Sequence, residues 1–422
     1  MICLGVNNYG NERSGIEWVG SIPDTWDVIP NKYIMHKEKN LCEKWTGEDV
    51  MSLTMNGVIV RDLQNPTGKM PATFDGYQYI EDGDLLMCLF DIDVTPRCIG
   101  KVTHNGVTSP AYSNFKTHDN ASRDYYYYYY LMVDNTKELL HLAKNLRHSF
   151  TEEQLGSLKV PMPPLTEQQV IADYLNEKCS KIDDIIAEAN ASVEEYKELK
   201  QAVIDNATMT GIHDSEMKYT DYVWFPEMPK SWNLVLASLL FREDVRPIDA
   251  NDVSLSLSQV DGLIPTDDMS ERSLKSATHD NWKHVIPDDL VLNRFKGHLG
   301  VFFASKYTGM VSFHYGVYHA IRDDVYAKYY EYLFHSTTYK NIFALKSNGI
   351  TVGLQNLSNG NFYSVKILHP TLDEQIEIVK YLDKRTAEID SLIAEKESLI
   401  KDLELYKKSL IYEVVTGKRR VV

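Results

Sequence analysis

The sequence has 422 residues and lacks the features of a secreted, metal-stapled or membrane-spanning protein. Its five cysteines are scattered and odd in number, without CxxC spacing, which argues against disulfides and zinc sites. No apolar run approaches 18 residues, so no membrane span and no membrane partner is expected. The first ten residues, MICLGVNNYG, show no charged region followed by an apolar run, so no signal peptide is expected. These absences predict a cytoplasmic protein.

Motifs of nucleotide, methyl-transfer and metal chemistry are missing too. No GxGxxG follows a predicted strand, and no G-x4-G-K-[ST] is present. The [DN]-P-P-[YFW] motif of amino-methyltransferases fails at Asn65–Thr67 and at Met162–Leu165. The thirteen histidines form no H-x3-H pair. The sequence therefore predicts that this chain catalyses nothing and holds no cofactor or metal; an enzyme, such as a fused methyltransferase or nuclease, is the hypothesis these absences disfavour.

Positive charge is in deficit. The formal net charge is −16, whereas domains that bind nucleic acid are usually basic. Any contact with DNA must therefore be made by local groups rather than by the field of the whole protein.

Two long segments repeat each other at an offset of 207 residues, which slips to 206 at the proline and glycine that bound them. The first runs from Pro164 to Gly211 and the second from Pro370 to Gly417. The pair Glu167-Gln168 in the first matches Glu374-Gln375 in the second. Self-similarity at half the chain length indicates a two-fold duplication rather than a solenoid.

Each copy predicts one long helix, capped by Thr166 or Asp373 and ended by a glycine. Its apolar residues recur at alternating steps of three and four, which is typical of a heptad seam. Roughly 40 residues at 1.5 Å each give a rod of about 60 Å. The apolar seam is too narrow to stabilise a helix of this length by itself. We therefore expect the two copies to pair with each other. Four apolar residues beside the seam are candidates for docking other helices: Ile185, Leu199, Leu392 and Leu399.

A second signature opens each half. The spacing W-x4-P-x2-W occurs twice at an offset of 206 residues, at Trp18, Pro23 and Trp26 and again at Trp224, Pro229 and Trp232. Its predicted role is a docking segment with buried indoles, and direct ligand stacking is the alternative. Short apolar or alternating runs between Asn-Gly and Asp-Gly turns then predict strands in both halves. Within them, SPAY at Ser109–Tyr112 falls where SFHY at Ser312–Tyr315 falls.

The tyrosine run Tyr125–Tyr130 has the composition of a base-stacking platform. Its equivalent in the second half, YYEYLFHS from Tyr329, continues into helical spacing. A half-buried helix is therefore the preferred interpretation. Outside the repeated helices and tryptophan segments, the halves keep one plan but share few residues, as expected of two domains that do one job on two targets.

Together these segments resemble a known family. The start SGIEWVGSIPDTWDV, the helix entry PMPPLTEQQVIADYL and the repetition of both are similar to the specificity subunit of type I restriction–modification enzymes. The resemblance covers roughly residues 15 to 418. The second helix entry departs from it, with LHPTLDEQ where the first has MPPLTEQ.

The resemblance implies an α+β fold with an internal two-fold pseudo-repeat. Two mixed α/β target-recognition domains would alternate with two long helices that pair as an antiparallel coiled coil. The predicted segments are a flexible lead (1–14), recognition domain 1 (15–150), spacer helix 1 (151–211), recognition domain 2 (212–357), and spacer helix 2 with a basic tail (358–422).

The same resemblance implies partners. Each domain would read one half of a bipartite double-stranded DNA target, and the helices would set the gap and dock two modification (methyltransferase) subunits. Restriction (translocase/nuclease) subunits would complete a restriction endonuclease and adenine methyltransferase complex. S-adenosylmethionine, ATP and Mg would be bound only by those partner subunits.

Base and phosphate contacts need cationic and amide side chains. In the first domain the candidates are Asn56, Arg61, Lys69, Arg97, Lys101, Lys116 and Arg123. In the second domain they are Arg246, Gln259, Arg272, Lys275, Arg294, Lys296 and Lys306. The segment NRFKGHLG is preferred, because Arg294 and Lys296 flank a turn after a predicted strand. The alternative function is a coiled-coil scaffold that binds proteins and reads no DNA sequence, which the acidic balance slightly favours.

Overall fold

The computed structural model describes residues 11–66, 68, 70–95, 97–143, 149–258, 262–269, 279, 281–348 and 356–421. The chain forms two compact units. Unit 1 comprises Met1–Ala189 and Ser398–Val422, and unit 2 comprises Asn190–Glu397. Each unit therefore contains one α/β domain and a part of both long helices. The predicted domain boundaries differ from this division because they assign each helix whole to one segment.

Among the residues that the structure describes, unit 1 has two sheets and three short helices around one main core. Its strands are β1 (Asn11–Arg13), β2 (Ser21–Pro23), β3 (Asp27–Pro30), β4 (Met35–Glu38), β5 (Leu41–Cys42), β6 (Val50–Thr54), β7 (Gly57–Val60), β8 (Tyr77–Ile80), β9 (Leu85–Met87), β10 (Ile99–Lys101), β11 (Gly106–Thr108), β12 (Ser113–Thr117) and β13 (Lys159–Met162). The helices are α1 (Arg123–Asn135), α2 (Glu138–Leu142) and α3 (Glu152–Ser157). The sheets have the orders β10-β9-β12-β4 and β5-β8-β11-β6-β7, and strand pairs β1-β2 and β13-β3 flank them.

Unit 2 repeats this plan after the first long helix, α4 (Leu165–Thr210). Its strands are β14 (Met217–Tyr222), β15 (Phe225–Pro229), β16 (Asn233–Leu236), β17 (Phe241–Glu243), β18 (Val253–Ser258), β19 (Gly262–Pro265), β20 (Lys283–Val285), β21 (Leu290–Asn293), β22 (Phe302–Ala304), β23 (Gly309–Val311), β24 (Tyr315–Ala320) and β25 (Lys366–His369). The helices are α5 (Ala327–Phe334), α6 (Thr337–Lys346), α7 (Asn359–Tyr363) and the second long helix, α8 (Leu372–Val415). The sheets have the orders β17-β24-β21-β22 and β19-β18-β23-β20. The parallel pair β6-β11 recurs as β18-β23, which confirms the repeated α/β plan.

The long helices pair in both units, as the heptad pattern predicts. In unit 1, Lys407 Nζ lies 2.6 Å from a carboxylate oxygen of Asp183. In unit 2, Lys200 Nζ lies 2.7 Å from Asp390. The offset of 207 residues relates one ion pair to the other, and the order of the partners shows antiparallel pairing. Buried residues of both helices join the core of each unit, including Leu175 and Leu410 in unit 1.

The second helix begins differently from the prediction. Thr371 Oγ1 accepts the Glu374 N–H at 3.4 Å, and the Glu374 carboxylate accepts the Thr371 N–H at 3.1 Å. This reciprocal capping box makes Thr371 the cap, so the prediction of Asp373 is wrong. Helix α4 begins at Leu165 after a proline, which places the predicted cap Thr166 inside the first turn.

The tyrosine run forms a buried helix, which confirms the preferred interpretation. Five of the six rings are buried, and only Tyr127 is partly exposed. The Tyr125 hydroxyl donates to the Val415 carbonyl at 2.9 Å, and the equivalent Tyr329 donates to the Thr208 carbonyl at 3.4 Å. Burial raises the pKa of both phenols well above the usual value. These rings attach each domain to the end of one long helix and are not free to stack on bases.

The start of the other long helix is held by a buried glutamine. Gln168 Oε1 accepts the backbone N–H of Ser122 at 2.8 Å, and Gln375 Oε1 accepts that of Tyr326 at 2.8 Å. Both glutamines are fully buried. The repeated Glu-Gln dipeptide thus supplies an internal hydrogen-bonding partner for the helix that carries the tyrosines.

In each Trp-Pro-Trp segment the second indole is buried, as predicted, whereas the first, Trp18 or Trp224, is only partly buried. Trp26 and Trp232 are buried, with 6% and 1% of their surface exposed. The flexible lead predicted for residues 1–14 is wrong at its end, because Asn11–Arg13 pair with Ser21–Pro23 as an antiparallel ribbon. Residues 1–10 lie outside the described residues.

The glycine that ends α8 packs against this docking segment. Gly417 has φ +71°, and a Cβ added there would lie 2.6 Å from Cγ of Pro23 and 3.1 Å from Trp26. Gly76 has a similar φ of +78°, but nothing lies within 4 Å of an added Cβ. The two glycines therefore separate the cost of a left-handed backbone from the cost of overpacking.

We expect Gly417→Ala to destabilise unit 1 more than Gly76→Ala does. A left-handed alanine costs about 1–2 kcal/mol at either site. Overpacking adds about 1–3 kcal/mol at Gly417 only. Chemical denaturation of the two variants and the unsubstituted chain measures both terms, and equal losses would contradict the packing of Gly417 on Pro23.

Candidate nucleic-acid interface

The candidate DNA-contacting residues differ in the interactions that their side chains make within the protein. Four of the candidates lie outside the described residues: Lys69, Gln259, Arg272 and Lys275. The other ten fall into three groups, which are arginines bound inside a domain, cations paired with surface carboxylates, and exposed side chains.

Arg97 belongs to the first group. Its Nη1 donates to the Met55 carbonyl at 2.9 Å, its Nη2 to the Tyr127 hydroxyl at 2.7 Å, and its Nε to the Ile99 carbonyl at 3.0 Å. Met55 precedes Asn56 in the turn between β6 and β7. Arg97 therefore fixes this exposed hairpin turn against α1, and its own donors are used within the domain.

Arg246 is similarly occupied. It makes two hydrogen bonds to the Asp289 carboxylate, at 2.7 and 3.0 Å, and a third to Asp244 at 2.6 Å. The carboxylates raise the pKa of Arg246, and Asp289 is the larger cause. A bidentate pair of this kind is strong and geometrically specific, so Arg246 stabilises the fold of unit 2.

The second group consists of cations that pair with carboxylates of the same domain, and its members are Lys101, Lys116 and Arg123. Lys101 lies 3.2 Å and Arg123 3.4 Å from the same Asp124 oxygen. Lys116 lies between two acids, 2.8 Å from Glu81 and 2.9 Å from Glu38, which raise its pKa. The two Lys116 pairs lie at the surface and contribute little to stability, so Lys116 can exchange a carboxylate for a phosphate at little cost. The Lys101–Asp124 pair is more covered, with 24% and 19% of the two side chains exposed.

The third group is exposed. Asn56, Lys296 and Lys306 face solvent, and Arg61 is half-exposed. The Lys296 and Lys306 side chains make no hydrogen bond or ion pair to any residue that the structure describes. Both are therefore available to an external anion.

In unit 1 the structure brings several candidates around one open cavity of about 430 Å³. Asn56 and Lys101 line it together with Tyr127, Asn176 and Lys407. The cavity lies between the β6-β7 hairpin, α1 and the long helices. The first-domain candidates Asn56, Arg97 and Lys101 thus form one neighbourhood, which the sequence did not indicate.

In unit 2 a partly buried carboxylate organises the preferred segment. Glu243 Oε1 accepts from Arg294 Nη2 at 2.6 Å and from Lys283 Nζ at 2.7 Å, and its other oxygen accepts from Asn359. Burial alone would raise the pKa of Glu243. Hydrogen bonds from Lys283 and Asn359 and the charge of Arg294 outweigh burial and lower that pKa. Arg294 thus points inward and Lys296 outward.

The same network holds a second turn. Lys283 Nζ also donates to the Tyr315 carbonyl at 2.6 Å, at the end of the turn Ser312–Tyr315. Strand pairing places Asn293 opposite Tyr315. The turns after β21 and before β24 therefore lie side by side at one end of the sheet, and both are tied to Glu243.

These two turns present aromatic rings that the sequence analysis missed. Phe295 is 38% exposed and Phe313 is 51% exposed. The His314 ring lies 3.8 Å from the Phe313 ring and 5.1 Å from the Phe295 ring, measured between centroids. The sequence did contain a signal for these rings. When SFHY is aligned with SPAY, Phe313 and His314 of the second half stand opposite a proline and an alanine of the first half.

The candidate docking residues on the long helices are exposed apolar side chains. The exposed fractions are 46% for Ile185, 45% for Leu199, 41% for Leu392 and 42% for Leu399. The offset of 207 relates Ile185 to Leu392, and it relates Leu199 to Tyr406, which is 50% exposed. Each unit thus exposes the same two helix positions.

Within the described ranges, no three His, Cys, Asp or Glu side chains are grouped as metal ligands. In that same part of the chain, no helix is long and apolar enough to cross a membrane.

The comparison with protein families decides the identity. The model of the type I restriction modification DNA specificity domain matches residues 92–195 and 266–402, more than half of the chain. The chain belongs to this family. Both matched ranges include candidate contacts, among them Arg97 and Lys101 in the first and Arg294 and Lys296 in the second.

Two solved structures share the fold of this chain. A chain from work described as "Structural basis underlying complex assembly and conformational transition of the type I R-M system" matches with a TM-score of 0.67 and 13% identity. The match covers 94% of this chain and 99% of that chain. The HsdS subunit from Thermoanaerobacter tengcongensis matches with a TM-score of 0.51 and 13% identity, over 94% and 98% of the two chains.

We expect Glu243→Gln to destabilise unit 2 of this specificity-domain protein strongly. It would leave Lys283, whose side chain is 8% exposed, without its carboxylate. Losing one partner of a buried pair costs about 3–5 kcal/mol. Glu81→Gln is the matched control, because Glu81 pairs with Lys116 at the surface and is 67% exposed. Thermal unfolding of both variants measures the difference.

The pH dependence supplies a second readout. Since the folded pKa of Glu243 lies below its ordinary value of 4.5, its contribution to stability is present above that pH and is lost as pH falls. The unsubstituted chain should therefore lose stability more steeply below about pH 4.5 than Glu243→Gln. Parallel curves would contradict the charged state of this carboxylate.

Proposed function

We propose that this chain is the DNA specificity subunit of a cytoplasmic type I restriction–modification complex. Each half reads one half of a bipartite double-stranded target. The chain catalyses nothing itself. Two modification subunits bring S-adenosylmethionine, and restriction subunits bring ATP and Mg.

The observation that carries the proposal is a repeated frame with divergent contents, in a chain of the DNA specificity family. Features that join each domain to the helices recur at equivalent positions, such as the hydrogen bonds from Tyr128 to Asn176 and from Tyr332 to Asp383. The candidate contacts do not recur. Arg97 holds a hairpin in unit 1, whereas Arg294 is bound to Glu243 in unit 2. Two readers of different sequences on one scaffold need this combination.

The long helices support a spacer role. Each is one continuous helix, of 46 and 44 residues, and each contributes to the cores of both units. A bipartite reader needs such a connection, because half-sites read from one face of DNA lie about one helical turn, or 34–36 Å, apart. We propose that the helix pair sets the gap between the half-sites.

The symmetry of the exposed helix residues supports two docking sites for one kind of partner. Ile185 and Leu392 occupy equivalent positions, as do Leu199 and Tyr406. Equal surfaces on the two units fit two copies of a modification subunit, one for each unit. Leu399, whose counterpart is Ser192, extends the surface on one copy only.

The test of the function is a genome-wide map of modified bases in a host without DNA methylation. The chain is expressed with the modification subunit encoded beside it. The expected result is a split motif of two short halves around an undefined gap, which disappears when this chain is omitted. A stable complex that leaves the genome unmodified would instead favour the protein-binding scaffold.

Salt dependence separates the same alternatives in vitro. Phosphate contacts make affinity for duplex DNA fall steeply as salt rises. A complex in which this chain is only a scaffold would bind duplexes that carry and lack the motif equally well at every salt concentration. The assay uses the complex with modification subunits, and duplexes that carry or lack the mapped motif.

For the docking surface, we expect Ile185→Glu to remove one modification subunit and Ile185→Glu with Leu392→Glu to remove both. A charge in the centre of an apolar interface is left desolvated and unpaired, which costs several kcal/mol. Native mass spectrometry of the assembled complex counts the subunits.

The matched control is Leu405→Glu. Leu405 is 55% exposed, and the equivalent position of α4 already carries Glu198. This variant should keep both modification subunits, because a glutamate is compatible with that helix position. Loss of both subunits from Leu405→Glu, or of neither from the double variant, would contradict docking at Ile185 and Leu392.

A further inference from the structure

The exposed rings of Phe295, Phe313 and His314, here called the aromatic knuckle, have no part in the fold or in subunit docking as described above. Each ring stands on a turn at the end of the sheet that contains β21 and β24. Large exposed apolar side chains that touch one another mark an interaction surface more often than isolated ones do. The question is which partner this surface fits.

The backbone that carries Phe295 is fixed by contacts of Arg294 and Gly297 with the interior of unit 2. The Arg294 carbonyl accepts the Leu357 N–H at 3.1 Å, while the Arg294 guanidinium binds Glu243 and Asn359. Gly297 closes the turn against Leu357, whose Cβ would lie 2.5 Å from an added Cβ. Phe295 and Lys296 are thus presented on a fixed backbone, so their ordering costs little when a partner binds.

The charge beside the knuckle favours a polyanion. Lys296 is exposed and forms no ion pair within the part of the chain that the structure describes. In a chain of net charge −16, an unpaired cation beside exposed rings is a local exception. Rings next to a cation match the surface of DNA, where bases adjoin phosphates.

Comparison of the two halves favours DNA over a protein partner. After β9, Phe90 stands where Phe295 stands after β21, and the two are 36% and 38% exposed. The neighbours differ: Asp91 replaces Lys296, and Pro110 replaces Phe313. A surface for a partner shared by both units would repeat, as Ile185 and Leu392 do. A surface that keeps one ring and changes its surroundings fits two different half-sites.

We propose that the aromatic knuckle is a base-step wedge of the second half, with Phe295 and Phe313 inserting against a base step of duplex DNA and Lys296 contacting the adjacent phosphate. Apolar side chains that enter a base step unstack it partly and bend the duplex. Steps that unstack easily, such as TA and CA/TG, are then preferred. Glu243 acts as a positioning residue that holds both turns. This inference rests on the proposed DNA-reading function.

The experiment uses the complex of this chain with its modification subunits and duplexes that carry the mapped motif. Affinity is measured at several salt concentrations for the unsubstituted chain, Phe295→Ala/Phe313→Ala and Lys296→Ala. Tyr219→Ala is the control, because Tyr219 is 86% exposed in the same unit and lies in β14. Phe295→Leu/Phe313→Leu keeps apolar volume and removes only the aromatic faces.

We expect the double alanine variant to lose affinity by about 5- to 150-fold for each ring that contacts a base. The slope of affinity against salt should not change, and discrimination should fall at one half-site only. Lys296→Ala should instead weaken binding to all duplexes and reduce the salt slope by about one. Tyr219→Ala should bind as the unsubstituted chain does.

A fluorescent probe reports the wedge directly. 2-Aminopurine is placed in turn at positions of the second half-site other than the methylated base. Its fluorescence should rise on binding the unsubstituted chain, because unstacking relieves quenching, and should not rise with the double alanine variant. The leucine variant should retain part of the rise.

The outcomes separate this inference from the function on which it rests. If the unsubstituted complex shows no preference for the motif, the DNA-reading function fails. If it shows that preference and the double alanine variant binds equally well, only the wedge is refuted. If that variant folds but no longer binds modification subunits, the knuckle is a protein-docking surface and the wedge is again refuted.

Discussion

Burial of a tyrosine-rich helix between the two long helices is the interaction on which both halves depend. Tyr125 and Tyr329 end in hydrogen bonds to carbonyls near the last turn of one long helix. Gln168 and Gln375 meet the start of the tyrosine-rich helix from the first turn of the other. Buried phenol hydroxyls usually find a hydrogen-bond partner. The recognition domain is therefore fixed by polar contacts of defined geometry as well as by apolar packing.

The fold separates the residues that assemble the protein from those that face outward. Contacts between domain and helices obey the two-fold repeat almost residue by residue, whereas the ends of the sheets do not. In unit 2 the partly buried Glu243 supports two turns at once, through Arg294 and Lys283. The exposed residues on such turns can change without loss of the support. Residues that differ between the two halves therefore indicate where function lies, and they can be found from this one sequence.

Much of the frame was predictable because it is periodic or repeated. The helices follow from heptads between a proline and a glycine, and the indoles of Trp26 and Trp232 were expected to be buried. Whether an individual lysine or arginine side chain faces the interior or the solvent was not predictable. Met55, which accepts from Arg97, lies 42 residues away along the chain, and Glu243, which accepts from Arg294, lies 51 residues away, so no local pattern reports these contacts. The preferred candidate Arg294 is accordingly an internal support, while the neighbouring Phe295 is exposed.

The division of the chain into units has a consequence for biosynthesis. Unit 2 is one continuous stretch, Asn190–Glu397, and all of it is synthesised before the last segment of unit 1. Unit 1 needs Ser398–Val422, which carry the Val415 carbonyl that receives Tyr125. At about 5–20 residues per second, the first recognition domain waits on the order of tens of seconds for its last helical segment. A chain truncated near its end would therefore lose the docking of its first half and keep that of its second.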